Sequence, residues 1–271
     1  MKFKILLYLY LLFQTLVVTN AENCDYRSVG GDTEGEECYK KELLLTVAHS
    51  PNQMTVHNNT LYFSFDIGNG EYSPATIQLE TKKTSMLKGI KDAYAMTTDR
   101  DNGDVYFGGG HGIYKFKPAK KSLKKLAFKG LDIWWLMYHR ELYYIRFPSL
   151  NSYRYTNKTI RPVKALEDIS VHQFVFDKRD NLIFINSTGL YGVEDGTNTA
   201  VLIQDDPKFY VLARDKYGVV HACTDEGIFK VHGMREATKL IDIADVLGLT
   251  FDDESNIIYS DARNLYRLLS V

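Results

Sequence analysis

Residues 105–116 read Val-Tyr-Phe-Gly-Gly-Gly-His-Gly-Ile-Tyr-Lys-Phe, and this pattern decides the fold. An apolar triplet is followed by a glycine-rich turn and then by a strand in which apolar and polar residues alternate. The triplet occurs six times, as Leu61-Tyr62-Phe63, Val105-Tyr106-Phe107, Leu142-Tyr143-Tyr144, Leu182-Ile183-Phe184, Val219-Val220-His221 and Ile257-Ile258-Tyr259. The copies are 37 to 44 residues apart, which predicts a repeat architecture.

Polar turns and alternating strands flank these triplets. Residues 99–103 and 252–256 are two of the turns that precede a triplet, and residues 189–193 and 227–231 are two of the strands that follow one. Short strands joined by turns rich in Asp, Asn and Gly form antiparallel meanders, and four strands per repeat make a propeller blade. Six repeats therefore predict an all-β, six-bladed β-propeller.

The closure of the ring can be located as well. The sixth repeat ends at Val271 after only three strands, so it needs an outer strand from elsewhere in the chain. The apolar run 43–47 near the N-terminus is predicted to supply it, which leaves no open sheet edge at the seam. An α/β fold would instead use residues 119–131 and 240–249 as helices. Both segments are short and fall where the repeat requires an outer strand or a connection, so the propeller is preferred.

The first 21 residues are predicted to be a secretory signal peptide. Lys2 and Lys4 precede an apolar run over residues 5–18, and the small residues Thr19 and Ala21 mark a cleavage site. The run is shorter than the ~20 residues that a membrane-spanning helix needs. The mature chain, residues 22–271, is then a single propeller domain that is secreted and has no membrane anchor.

In a secreted protein, cysteines can form disulfides and N-x-S/T sequons can be glycosylated. Cys24 and Cys38 are predicted to form a disulfide that staples the N-terminal segment 22–41, whereas Cys223 lies in an apolar run and is predicted to be a buried free thiol. Predicted glycosylation sites are Asn58, Asn157 and Asn186. In the propeller topology the first two lie at one end of the ring, and Asn186 lies at the other.

Composition and motifs argue against several classes of function. The chain has 33 Lys and Arg against 34 Asp and Glu, so it has no strongly basic field for nucleic acid. Residues 99–104 resemble a calcium loop but lack its closing Glu, and neither H-E-x-x-H nor G-x-S-x-G occurs. We therefore predict no metal, no cofactor and no catalytic residues, and a monomer that is not an enzyme.

A ligand site is predicted at the end of the propeller where the inner strands begin. The equivalent first positions of these strands are Asn52, Tyr94, Trp134, His172, Tyr210 and Leu247, and four of the six are flat rings. Loops between the second and third strands of the blades carry His111, Arg146, Asp225, Asp261 and Arg263 at the same end. Such a site would hold a planar aromatic ligand between the rings, with Arg146 and Arg263 pairing with its carboxylate. The alternative, that the rings only pack between blades, remains open.

The mature chain begins with Asn23-Cys24-Asp25-Tyr26, continues with the segment Cys38-Tyr39-Lys40-Lys41-Glu42-Leu43 and repeats strands of the Gly-Ile-Tyr-Lys-Phe type. In these features it resembles the insect ommochrome-binding proteins. The resemblance implies a secreted haemolymph carrier of planar, tryptophan-derived phenoxazinone pigments such as xanthommatin. Two other classes remain open: an extracellular protein-binding propeller, and a lactonase-like hydrolase. The second is disfavoured because the inner strands offer no inward carboxylates for a metal.

Overall fold

The computed structural model describes residues 24–29, 37–48, 51–68, 70–126 and 130–271, with the exception of the Asn52 side chain. The predicted signal peptide lies outside the described residues. Within them the chain forms 25 β-strands and two short 3₁₀ helices, Pro118–Lys120 and Lys164–Leu166. No helix in this part of the chain is long and apolar enough to cross a membrane.

The first three complete blades are four-stranded antiparallel sheets that follow the chain order from the axis outward. Blade 1 is β3 (Pro51–His57), β4 (Thr60–Asp66), β5 (Tyr72–Gln78) and β6 (Thr84–Met86). Blade 2 is β7 (Ala93–Asp99), β8 (Asp104–Gly109), β9 (Gly112–Lys117) and β10 (Ser122–Lys125). Blade 3 is β11 (Asp132–His139), β12 (Glu141–Phe147), β13 (Ser152–Thr156) and β14 (Thr159–Pro162).

Blades 4 and 5 repeat this order, and the sixth blade joins both ends of the chain. Blade 4 is β15 (Gln173–Phe176), β16 (Leu182–Asn186), β17 (Gly189–Val193) and β18 (Ala200–Gln204). Blade 5 is β19 (Val211–Arg214), β20 (Val220–Thr224), β21 (Gly227–Val231) and β22 (Ala237–Ile241). Blade 6 is β23 (Gly248–Phe251), β24 (Ile257–Ser260) and β25 (Asn264–Ser270), to which β2 (Cys38–Thr46) and β1 (Tyr26–Arg27) are added.

The six-bladed propeller is thus confirmed, and the α/β alternative is wrong. Each inner strand contacts the inner strand of the next blade, and β23 contacts β3 to complete the ring. Residues 119–131, the first candidate helix, contain the end of a 3₁₀ helix and the strand β10. Residues 240–249 contain the end of β22 and the start of β23.

The recurring triplets form the second strands of the blades, which are buried on both faces. Phe63, Phe107, Phe184 and Ile258 are all fully or almost fully buried. A second strand packs one face against the preceding blade and the other against the following blade, so it needs apolar residues at consecutive positions and not at alternate ones.

The closing strand is β2, which pairs antiparallel with β25 from Tyr39 opposite Ser270 to Thr46 opposite Asn264. Residues 43–46 of the predicted run therefore lie in the outer strand, which begins five residues earlier and ends one residue earlier than expected. Glu42 of β2 also receives hydrogen bonds from Arg267 of β25, at 2.9 Å, and pairs with Lys82 of blade 1, at 3.1 Å. The fifth strand of this blade, β1, was not predicted.

The turns between first and second strands are organised by a buried aspartate. Asp177 accepts the backbone N–H groups of Arg179 and Asn181 through Oδ1, and the Asn181 side-chain amide through Oδ2. Asp252 makes the same three hydrogen bonds with Glu254 and Asn256. The polar turns that precede the triplets are thus closed by their own side chains, which explains why Asp and Asn recur in them.

The cysteines behave as predicted. Cys24 and Cys38 form a disulfide with their Cα atoms 5.4 Å apart, and Cys223 is free and fully buried. Burial raises the pKa of the Cys223 thiol.

We expect one thiol per molecule to react with a maleimide after denaturation without reductant, and three after reduction. In the native protein Cys223 should stay unlabelled for as long as the fold is intact, because a buried thiol is neither accessible nor ionised. Mass spectrometry of the labelled chain counts the thiols. Three labels on the unreduced, denatured chain would contradict the disulfide.

Candidate functional site

A cavity of about 270 Å³ opens at the end of the channel where the inner strands begin. Its lining residues are Gln53, Met54, Tyr72, Tyr94, Met96, Trp134, Trp135, Gln173, Tyr210, Val211, Leu247 and Leu249. With the exception of Tyr72, which starts β5, they belong to inner strands or directly precede one. The cavity is therefore built by convergence of all six blades on the axis.

An aromatic row crosses the rim of this cavity. The ring of Tyr94 lies 5.5 Å from that of Tyr72 and 6.2 Å from that of Trp134, both in edge-to-face geometry, and Phe147 lies 6.0 Å beyond Trp134. Trp134 is 38% exposed, Phe147 45% and Tyr210, on the other side of the cavity, 37%. The row thus presents ring surface to the solvent, which large aromatic side chains otherwise avoid.

β-bulges direct Tyr94 and Trp134 toward the axis. The register of β7 with β8 shifts between Ala93 and Ala95, and that of β11 with β12 shifts between Ile133 and Trp135. The residue inside each bulge has no partner on the neighbouring strand, and a bulge reorients its side chain relative to the regular pleat. The strand pairing therefore decides that Tyr94 and Trp134 face the cavity.

The two rings are also anchored to the following blade. The Trp134 indole Nε1–H donates to the His172 carbonyl at 2.9 Å, and the Tyr94 hydroxyl donates to Asp132 Oδ1 at 2.6 Å. Burial, together with the bond to Asp132, raises the pKa of Tyr94, so its hydroxyl stays protonated as a donor. The rings pack between blades and also leave ring surface exposed to solvent. The packing interpretation and the ligand-binding interpretation of these residues therefore each describe part of the geometry.

Two amides hold the floor of the cavity. Gln53 accepts the Met96 N–H at 3.3 Å and donates to the Trp134 carbonyl at 3.2 Å, while Gln173 accepts the Leu212 N–H at 2.7 Å. Each amide therefore bridges separate blades. Burial raises the pKa of Tyr210, so its phenol is neutral as well. The polar groups of the lining are thus uncharged, which suits a largely apolar, planar ligand.

The structure brings together some of the predicted site residues and not others. Tyr94, Trp134 and Tyr210 line the cavity, whereas His172 is half-buried and contributes its backbone carbonyl. Three predicted residues lie at the same end but outside the lining: His111 and Arg263 are exposed on second-to-third strand loops, and Arg146 is exposed near the end of β12. The site assignment itself stays a prediction.

Sequence reasoning missed Tyr72, Phe147 and the two glutamines. Tyr72 begins a third strand and Phe147 ends a second strand, so each flanks a loop that the predicted face already contained. Their position beside that loop was the sequence feature that could have identified Tyr72 and Phe147 as site residues. Their contacts with rings of neighbouring strands depend on how the blades pack.

No family model matches the sequence. The ommochrome-binding protein of Manduca sexta is 26% identical over 245 residues, which cover 85% of this chain and 88% of that protein. The sequence is thus similar to an ommochrome-binding protein along most of both chains. The predicted resemblance is thereby confirmed over nearly the whole chain.

Solved structures that are similar to this protein are propellers. A gluconolactonase from Xanthomonas campestris has a TM-score of 0.73 at 12% identity, with 92% of this chain and 96% of that chain covered. A calcium-binding regucalcin from Agrobacterium tumefaciens has a TM-score of 0.63 at 10% identity, with 86% and 95% covered. At these identities the likeness concerns the fold.

The described residues of this protein contain no group of three or more His, Cys, Asp or Glu side chains placed to hold a metal ion. Asp132, the carboxylate nearest the aromatic row, is bonded to the Tyr94 hydroxyl. Glycosylation at Asn58, Asn157 and Asn186 remains a prediction. Their positions follow the expected topology: the first two lie in first-to-second and third-to-fourth strand turns, and Asn186 ends β16 at the cavity's end.

Proposed function

We propose that this protein is a secreted carrier that binds an ommochrome-type pigment in the aromatic cavity. The observation that carries the proposal is the row Tyr72, Tyr94, Trp134 and Phe147, with exposed ring surface at the rim of a preformed cavity. A conjugated planar ligand stacked on such rings gains roughly 0.5–1.5 kcal/mol per ring pair beyond the buried area. Similarity to the ommochrome-binding protein of Manduca sexta supports this ligand class.

The charged loop residues have a secondary role in this proposal. Arg146 directly precedes Phe147, so it is attached to the outer end of the aromatic row, and Arg263 and His111 lie on loops at the same end. These side chains are exposed, and ion pairs between exposed groups contribute only about 0–1 kcal/mol and are screened by salt. They orient a pigment carboxylate, while the rings supply most of the affinity.

Transport outside the cell completes the proposal. The predicted signal peptide and the Cys24–Cys38 disulfide fit an oxidising, extracellular compartment, which for this family is proposed to be the haemolymph. A monomeric propeller with a preformed pocket can bind and release pigment without a large conformational change.

Titration with xanthommatin tests this function. The chain has two tryptophans, Trp134 and Trp135, and both line the cavity. A pigment bound there should quench most of the tryptophan fluorescence and shift its own visible absorbance, with both signals saturating at one pigment per chain. Absence of both signals would contradict the proposal. Hydrolysis of gluconolactone above the uncatalysed rate would favour the lactonase-like alternative.

A further inference from the structure

A second cavity, of about 380 Å³, lies at the other end of the channel. It is lined by the last residues of inner strands and by the turns that follow them, such as Arg100, His139 and Arg214. Met54, Met96, Trp135 and Leu249 line both cavities and therefore lie between them. The aromatic cavity and this one share an apolar partition, and their mouths face opposite ends of the propeller.

The mouth of the second cavity carries an excess of positive charge. Its lining includes Arg100, Arg140, Arg214 and Lys216 against Asp101 and Asp215. Asp215 is engaged in its own turn, where Oδ1 accepts the N–H groups of Tyr217 and Val219. Two of the cations are engaged as well: Arg140 pairs with Asp180 at 2.8 Å, and Lys216 donates to the Asp253 carbonyl at 2.9 Å.

Arg214 is the best positioned of these cations. It is half-buried at the end of β19, and its NH1 group donates to the Phe176 carbonyl at 3.1 Å and contacts His139 Nδ1 at 3.3 Å. Within the described residues, no carboxylate lies within 4 Å of its guanidinium. The remaining N–H groups of this fixed side chain have no assigned acceptor.

His139 bridges Asp180 and Arg214 as a neutral imidazole. Its Nε2 is hydrogen-bonded to Asp180 at 2.7 Å, while its Nδ1 faces the guanidinium of Arg214. Since a guanidinium can only donate, Nδ1 must accept and Nε2 must carry the proton. Burial lowers the pKa of His139, which keeps the ring neutral beside the cation.

A second guanidinium lies near the first. Burial and the positive charge of Arg100 lower the pKa of Arg214, so the cation is held where its charge is disfavoured. Three carboxylates near Arg214 act against this lowering, and each is committed to other partners: Asp180 to His139 and Arg140, and Asp215 and Asp177 to the N–H groups of their own turns. A half-buried cation without a paired carboxylate is costly, and a bound anion would offset that cost.

Behind the charged mouth, part of the lining is apolar and part is formed by the threonines Thr55, Thr97, Thr98 and Thr250. Leu136, Met137, Val175 and Leu212 lie in its lining together with the four residues of the shared partition. We propose that this second cavity binds a small carboxylate with an apolar body, whose carboxylate pairs with Arg214 and Arg100 and whose body rests on the apolar lining. The site is separate from the pigment cavity and does not depend on the proposed pigment function.

Calorimetric titration of the full protein with octanoate tests the site. Octanoate should bind, and Arg100→Ala should weaken it about tenfold, since a charge-assisted contact is lost. Arg214→Lys should weaken it as well, because lysine lacks the planar fork. Arg179→Ala is the matched control, since Arg179 is exposed in the corresponding turn of blade 4 outside the cavity lining, and it should leave octanoate binding unchanged.

The same titration contains the outcomes that overturn the proposal. Octan-1-ol has the apolar body without the charge, and inorganic phosphate has charge without the body, so both should bind at least tenfold more weakly than octanoate. Equal binding of either probe, no octanoate binding at millimolar concentration, or unchanged octanoate affinity in Arg100→Ala would each refute the site. Because Arg100 is exposed, its substitution does not endanger the fold.

Discussion

Replacement of Trp134 by alanine is expected to weaken xanthommatin binding at least tenfold, a loss of about 1.4 kcal/mol. The change removes the central ring of the row, which contacts both Tyr94 and Phe147. It therefore removes one stacking surface and disturbs the positions of two others. Titration of the variant with xanthommatin, followed by absorbance, measures the effect, and a melting curve checks that the fold persists.

Two further variants separate stacking from packing. Trp134→Phe keeps a ring but loses the indole N–H bond to the His172 carbonyl, so it should recover most of the binding while losing part of the stability. Tyr217→Ala removes a ring that is 66% exposed in a turn at the opposite end of the propeller. It should change neither the affinity for xanthommatin nor the stability of the protein. Wild-type affinity in Trp134→Ala, with an intact fold, would mean that the ring only joins blades 3 and 4.

Replacement of Asp252 by alanine is expected to lower the free energy of unfolding by about 2–4 kcal/mol. Asp252 is fully buried, and its carboxylate accepts two backbone N–H groups and one side-chain amide at 2.8–2.9 Å. Its Oδ2 also lies 3.7 Å from Arg267, whose other contact is Glu42 of the closing strand. The variant leaves buried donors without acceptors and weakens the junction of the two chain ends.

Urea denaturation monitored by tryptophan fluorescence measures this loss. The control is Glu254→Ala in the same turn: its side chain is exposed, so the change should stay within about 0.5 kcal/mol. If both variants unfolded at the same urea concentration as the wild type, the aspartate turn would not contribute to the closure of blade 6.

The closing strand could be predicted only in part from the local sequence pattern. The run 43–47 could be placed in blade 6 because the last repeat lacked one strand and the run was apolar. Its extension back to Cys38, and the added strand β1, could not be predicted, since residues 26–27 and 38–42 carry no clear alternation. Those residues become strand because the exposed edge of β25, and then that of β2, offers hydrogen-bonding groups to them.

The candidate ligand-binding residues of the cavity could also be predicted only in part from the local sequence pattern. Counting back from each turn placed Tyr94, Trp134 and Tyr210 at the axis, since equivalent positions in a repeat occupy equivalent places. The same count also selected His172, which turned out to contribute a backbone carbonyl. Side-chain direction differs among equivalent positions because the bulges of β7 and β11 depend on pairing with a neighbouring strand.

By itself, the sequence determined the number of blades, the turns that separate their strands, the closing strand and the disulfide. Each follows from residues close together in the chain, or from counting what a repeat lacks. Only the tertiary structure decided which rings share a rim and that Arg100 and Arg214 meet at the other end of the channel. Tyr94 and Trp134 come from neighbouring blades, and Arg100 and Arg214 come from blades 2 and 5, so their positions relative to each other are set by how six twisted sheets pack around one axis.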